Sequence, residues 1–217
     1  MSRAGGPAHP LRSFARQSGF TMKFFGLTPS SDSAATTTLP FAMIYGGLSF
    51  GAVSTLAYSI WAFRLVPGAA GLYTTTALVY LGLGGLALSR LVVAPGAWKR
   101  FPPCFALVFL AYAVAWCACW FGLHGKYYAD FWGAAAGLAA VTWLLQRAFG
   151  QPRNFLLLFG VLFALHSAGY YAGDQLHVLV RGANGKLLWG AAHGLGFGAG
   201  LGYVIFHCQL RPRAPLV

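Results

Sequence analysis

The chain has 217 residues, of which 58% are hydrophobic and only 8% charged, with fifteen Lys and Arg against three Asp and Glu. A soluble domain carries about 25% charged residues, so this composition excludes an ordinary soluble enzyme and leaves a polytopic membrane protein. The formal charge of +12 belongs to Lys and Arg that sit mainly between apolar segments, where they act as topology signals. Nucleic-acid binding is therefore not expected.

Residues 1–38 are different material, rich in Gly, Pro, Ser and Thr and carrying Arg3, Arg12, Arg16 and Lys23. They read as a flexible basic cytoplasmic tail, and Leu11, Phe14, Phe20, Phe24 and Phe25 among the bases also suit an amphipathic stretch on an anionic surface. No short apolar core with a small-residue cleavage site follows the basic start, which disfavours a signal peptide. Met22 is an alternative start.

Six spans are expected at about 39–63, 71–93, 104–123, 130–149, 155–180 and 187–207, each close to the ~20 apolar residues that cross a bilayer. Pro67-Gly68, Pro95-Gly96, Pro102-Pro103, Gly125, Gly150 with Pro152, and the run Gly182 to Gly185 mark the breaks. Such short connections make neighbours antiparallel. The expected fold is an all-α, up-and-down six-helix transmembrane domain over residues 39–210, followed by a short basic tail at 211–217.

Cytoplasmic loops carry the excess of Lys and Arg. One side collects Arg3, Arg12, Arg16, Lys23, Arg90, Lys99, Arg100, Arg147, Arg153, Arg211 and Arg213, and the other Arg64, Lys126, Arg181 and Lys186. This places both termini in the cytoplasm, and the loop economy suggests a bacterial inner membrane. Trp98, Tyr127, Tyr128 and Trp132 fall at the expected interfaces. Cys117 and Cys119 lie inside one apolar run, while Cys104 and Cys208 sit at span ends, so the cysteines read as small apolar residues rather than a disulfide framework.

Association in lipid depends on close backbone approach. Gly47 with Gly51, Gly133 with Gly137, Gly196 with Gly200, and Gly198 with Gly202 have the small-xxx-small spacing. The last span, with Gly at 190, 194, 196, 198, 200 and 202, has glycine on more than one face and is expected to be central. Such faces also suit partner membrane helices; the lipid bilayer is the other expected partner.

The candidate site is polar. Within the spans the only carboxylates are Asp130 and Asp174, and an ionisable group in a membrane is a functional suspect by default. His166, Tyr170, Asp174 and His177 lie at about 0°, 40°, 80° and 20° around one helix, a single stripe. Counting outward from the connection Arg181 to Lys186 places His193 level with Asp174, with His166 deeper, level with Leu201. His124 and Asp130 emerge on the same non-cytoplasmic side. The leading expectation is a structural Asp–His cluster between spans five and six. The alternatives are a zinc site of Asp174, His177 and His193 in a metal-binding protein or metal-dependent hydrolase, and a small-solute or proton transporter.

Two families can be compared at this point. Ala192-His193-Gly194-Leu195-Gly196 together with residues 133–137 superficially resembles the rhomboid serine proteases, which pair a serine in a Gly-x-Ser-Gly motif with a sixth-span histidine. Here 133–137 reads Gly-Ala-Ala-Ala-Gly and the fourth span has no serine, so the nucleophile is missing. The inventory His166, His177, His193 and Asp174 is similar to that of ceramidase-like membrane hydrolases. His166 and His177, however, are separated by roughly 16 Å of helical rise and cannot share one ion on a straight helix. A b-type haem would take His177 and His193; no inverted repeat suggests a transporter architecture.

Overall fold

The structure, a computed structural model, describes residue 27 and residues 37–150 and 154–209. The tail expected over 1–38 lies outside them apart from Leu27, Thr37 and Thr38, as does 211–217 in full. All regular structure among the described residues is helical, in six helices: α1 Leu39–Ala62, α2 Gly68–Leu91, α3 Ala97–Gly122, α4 Ala129–Phe149, α5 Phe155–Val180 and α6 Gly182–Gln209. Four of them, α1, α2, α3 and α5, are long and apolar enough to cross a membrane. Glycine lowers the apolarity of α6, and Asp130, Gln146 and Arg147 that of α4.

Helix starts follow local chemistry. Thr38 caps α1, its Oγ1 accepting from the Phe41 N–H at 3.4 Å, with Pro40 in the first turn where no N–H is needed. The break expected at Pro102-Pro103 is instead inside α3, which begins at Ala97. Those prolines remove hydrogen bonds only to the carbonyls of Trp98 and Lys99, both exposed residues near the helix start.

The sixth helix is central. A Cβ at Gly198 would fall on the carbonyl oxygen of Gly46, and one at Gly202 on that of Ala42. Gly190 and Gly194 meet Ser54 and Tyr58, so the row 190, 194, 198 and 202 faces α1. Gly196 meets Leu165 and Gly169, and Gly200 meets Leu162, so a second row faces α5. Lipid tails are as apolar as leucine, and such close approach supplies the dispersion contact that holds helices together. At its C-terminal end, Gln209 accepts from the Val93 N–H at 2.7 Å and donates to the Leu91 carbonyl at 2.9 Å, pinning α6 to the end of α2.

The second span is not a uniform helix. Tyr80–Gly84 forms a π turn. At its end, Gly84 and the following Gly85 let the chain close onto Phe105 and Pro102 of α3. Before it, residues Gly68–Val79 bury nothing and pack chiefly on α1. The π turn thus separates a half docked on α3 from a half docked chiefly on α1, as such turns commonly do at functional sites. Ser54 and Tyr80, 2.7 Å apart between hydroxyls, fix the joint, inside a cluster of Phe50, Phe105, Phe109 and Phe197.

The connection between α5 and α6 is also shorter than expected. Arg181, at φ 56° and ψ −179°, is the only residue between them, in a region almost reserved for glycine. Gly182 to Lys186, expected as a loop, forms the first turn of α6. Gly185 consequently lies against His177, and Gly173 against Trp189.

Candidate functional site

That one-residue reversal sets the register of the polar residues. With Gly185 opposite His177 and Gly200 opposite Leu162, His193 arrives abreast of Gly169 and Tyr170 rather than of Asp174. His166 sits beside Leu165, which packs on Gly196, and is not level with Leu201. The two histidines placed at different depths by the loop count are in contact. Nε2 of His166 is 3.1 Å from Nε2 of His193, and the Tyr112 hydroxyl of α3 is 2.9 Å from the same His166 nitrogen. On the far side of His193, Nδ1 is 3.5 Å from the Tyr58 hydroxyl of α1. Tyr170 stacks parallel to the His166 ring and edge-on to His193.

Four helices therefore converge on two imidazoles that are only 2% and 8% exposed. Buried polar groups need partners, and neutral histidines supply one donor and one acceptor each. With His193 protonated on Nε2, it donates to His166, whose lone pair also receives the Tyr112 hydroxyl, while Nδ1 of His193 accepts from Tyr58. The tautomer is an assignment made to satisfy the network. Nδ1 of His166 keeps no hydrogen-bond partner. A void of about 10 Å³ lies beside His166, Ser167, Tyr170, Tyr171 and Asp130, close to the volume one water needs.

The remaining candidate residues have other surroundings. His177 stacks between Trp61 and Trp189, with ring centroids at 5.4 and 5.5 Å, and its Nδ1 is buried without a partner. Asp174 is half-buried on α5, and its carboxylate enters none of the side-chain hydrogen bonds among the described residues. Asp130 accepts from the Tyr171 hydroxyl at 3.2 Å. His124 is exposed in the turn between α3 and α4. Among the described residues no three His, Cys, Asp or Glu side chains are grouped to hold a metal ion; the His166–His193 pair offers two imidazoles, with a phenol as its nearest further oxygen.

The residues that sequence reasoning passed over are aromatic. A cavity of about 390 Å³ opens beside the histidine pair, lined by Tyr58 and Trp61 of α1, Leu72, Tyr73 and Thr76 of α2, Trp116 and Trp120 of α3, Tyr170 of α5 and Trp189 of α6. Around it the first half of α2 meets α3 through the Tyr73 and Phe121 rings, 5.8 Å apart. Trp61, Trp189 and Tyr58 form one wall, with centroids 5.8 to 6.2 Å apart, and Trp116 and Trp120, stacked at 5.2 Å, form another. Tyr58 and Tyr170 belong both to this lining and to the first contacts of His193. The available signal was spacing: Tyr58 and Trp61, Trp116 and Trp120, and Trp189 and His193 are each three or four apart on one helix.

No described protein family matches the chain, and no curated protein or solved structure does.

Proposed function

We propose that the chain is a six-span integral membrane protein, with both termini in the cytoplasm, that binds a small lipid-soluble molecule in the aromatic cavity of its non-cytoplasmic half. The observation that carries this reading is the cavity itself. Its volume lies within the roughly 300–1,000 Å³ of small-molecule sites, which combine apolar walls with a few convergent polar groups. Indole and phenol rings supply the walls; the Tyr58 and Tyr170 hydroxyls, backed by His193, supply the polar end. Hydrogen bonds to His166 and Tyr58 hold His193 in one orientation, and Tyr112 in turn holds His166, as a preorganised site requires. The excess of Lys and Arg around the opposite end of the bundle supports the orientation.

The test is titration of the purified protein in mild detergent with 1-aminoanthracene, a neutral probe that accepts energy from tryptophan. Saturable transfer in wild type, lost in Thr76→Phe and kept in Leu78→Phe, is expected. Thr76 lines the cavity, whereas Leu78 is 61% exposed on the outer face of the same helix. Non-saturable transfer, equal in all three proteins, contradicts the reading.

A further inference from the structure

The mouth of the aromatic cavity is cationic. A second cavity, of about 340 Å³, adjoins it through the shared residues Trp61 and Leu72 and is lined by Arg64. Above the Trp61 ring stands the Lys186 ammonium, 4.3 Å from the centroid. Two cations from different helical hairpins thus stand near the rim, Lys186 over the Trp61 ring and Arg64 on the lining that Trp61 shares with the second cavity, while Asp130 and Asp174 line neither cavity.

We propose that the occupant is an anionic amphiphile, a carboxylate on an apolar body, whose head meets Arg64 and Lys186 and whose body lies among Trp61, Trp116, Trp120 and Trp189. This rests on the cavity reading above and adds the charge of the ligand. A cationic ligand would find the Trp61 face taken by Lys186 and two like charges at the entrance. A neutral ligand would gain nothing from either cation. The planar guanidinium of Arg64 matches a carboxylate in a bidentate manner, and Lys186 is held near the rim by its contact with Trp61. The apolar body gains contact with rings that are already ordered by one another, so little side-chain freedom is lost on binding.

The experiment compares 9,10-dibromostearate with its methyl ester at pH 8, reading bromine quenching of tryptophan in the full chain in mild detergent. The expected result is that the acid binds about tenfold more tightly than the ester, and that Arg64→Gln and Lys186→Gln each bring the acid-to-ester affinity ratio, read within the same variant, most of the way to one. Equal affinities for acid and ester, unaffected by either substitution but both lost in Thr76→Phe, overturn the assignment of charge and leave the cavity reading standing. Quenching by both probes that never saturates and is insensitive to Thr76→Phe overturns both. Arg64 is exposed and Lys186 half-buried at the rim, and matching elution and melting profiles establish that the variants fold.

Discussion

Nε2 of His166 and Nε2 of His193 lie 3.1 Å apart, and the Tyr112 hydroxyl lies 2.9 Å from the first of them. A single imidazole nitrogen thereby links α3, α5 and α6. The apolar surroundings make each of these bonds expensive to lose without a replacement.

Removal of the Tyr112 hydroxyl tests the link. Tyr112→Phe is expected to cost about 0.5–1.5 kcal/mol, in the range of interhelical hydrogen bonds measured in membranes. Combined with His193→Phe, the losses should be less than additive, because both groups serve the same nitrogen. Thermal unfolding in detergent reads both effects. An unchanged midpoint in Tyr112→Phe would mean that the bond contributes nothing.

Glycine along α6 separates a packing role from a flexible one. Gly198→Ala places a methyl group on the Gly46 carbonyl and is expected to cost about 1–3 kcal/mol, the usual penalty of overpacking. Gly160→Ala on α5, with nothing within 4 Å of the added carbon, is expected to be neutral or to gain up to ~1 kcal/mol from helix propensity. Equal effects of the two substitutions would contradict the assignment of the α1–α6 contact as a tight seam.

Much of this was legible in the sequence. Each of the six expected spans corresponds to a helix, and the glycine spacing of the last one anticipated a helix with neighbours on two sides. The register of the histidines was not legible, because it turns on Arg181. Gly182-Ala183-Asn184-Gly185 reads as a loop, and only the observation that Arg181 alone reverses the chain moves His193 from Asp174 to His166. The cavity was hidden for a different reason. Tryptophans in the outer third of a span suit an interfacial belt equally well, and the space they line opens beside the half of α2 that precedes the π turn at Tyr80–Gly84, a change of helical pitch that apolar periodicity does not report.

Arg181 occupies a backbone region that costs roughly 1–3 kcal/mol for a residue with a Cβ. Arg181→Gly is therefore expected to raise stability by about 1 kcal/mol. A loss of stability would show that the arginine side chain contributes more than its backbone costs.

Orientation can be read by labelling with a membrane-impermeant maleimide in a background whose four native cysteines are replaced. Lys126→Cys, in the exposed turn between α3 and α4, is expected to react in intact cells. Lys99→Cys, exposed at the opposite end of α3, is expected to react only after permeabilisation. The reverse pattern would invert the topology and place the cavity on the cytoplasmic side.

The most direct measurement is native mass spectrometry of the wild-type protein and Thr76→Phe after incubation with 1-aminoanthracene and gentle release from detergent. A one-to-one adduct in wild type that is absent from Thr76→Phe is the predicted result. Bare chain in both proteins, or the same adduct in both, would contradict a binding site in the aromatic cavity.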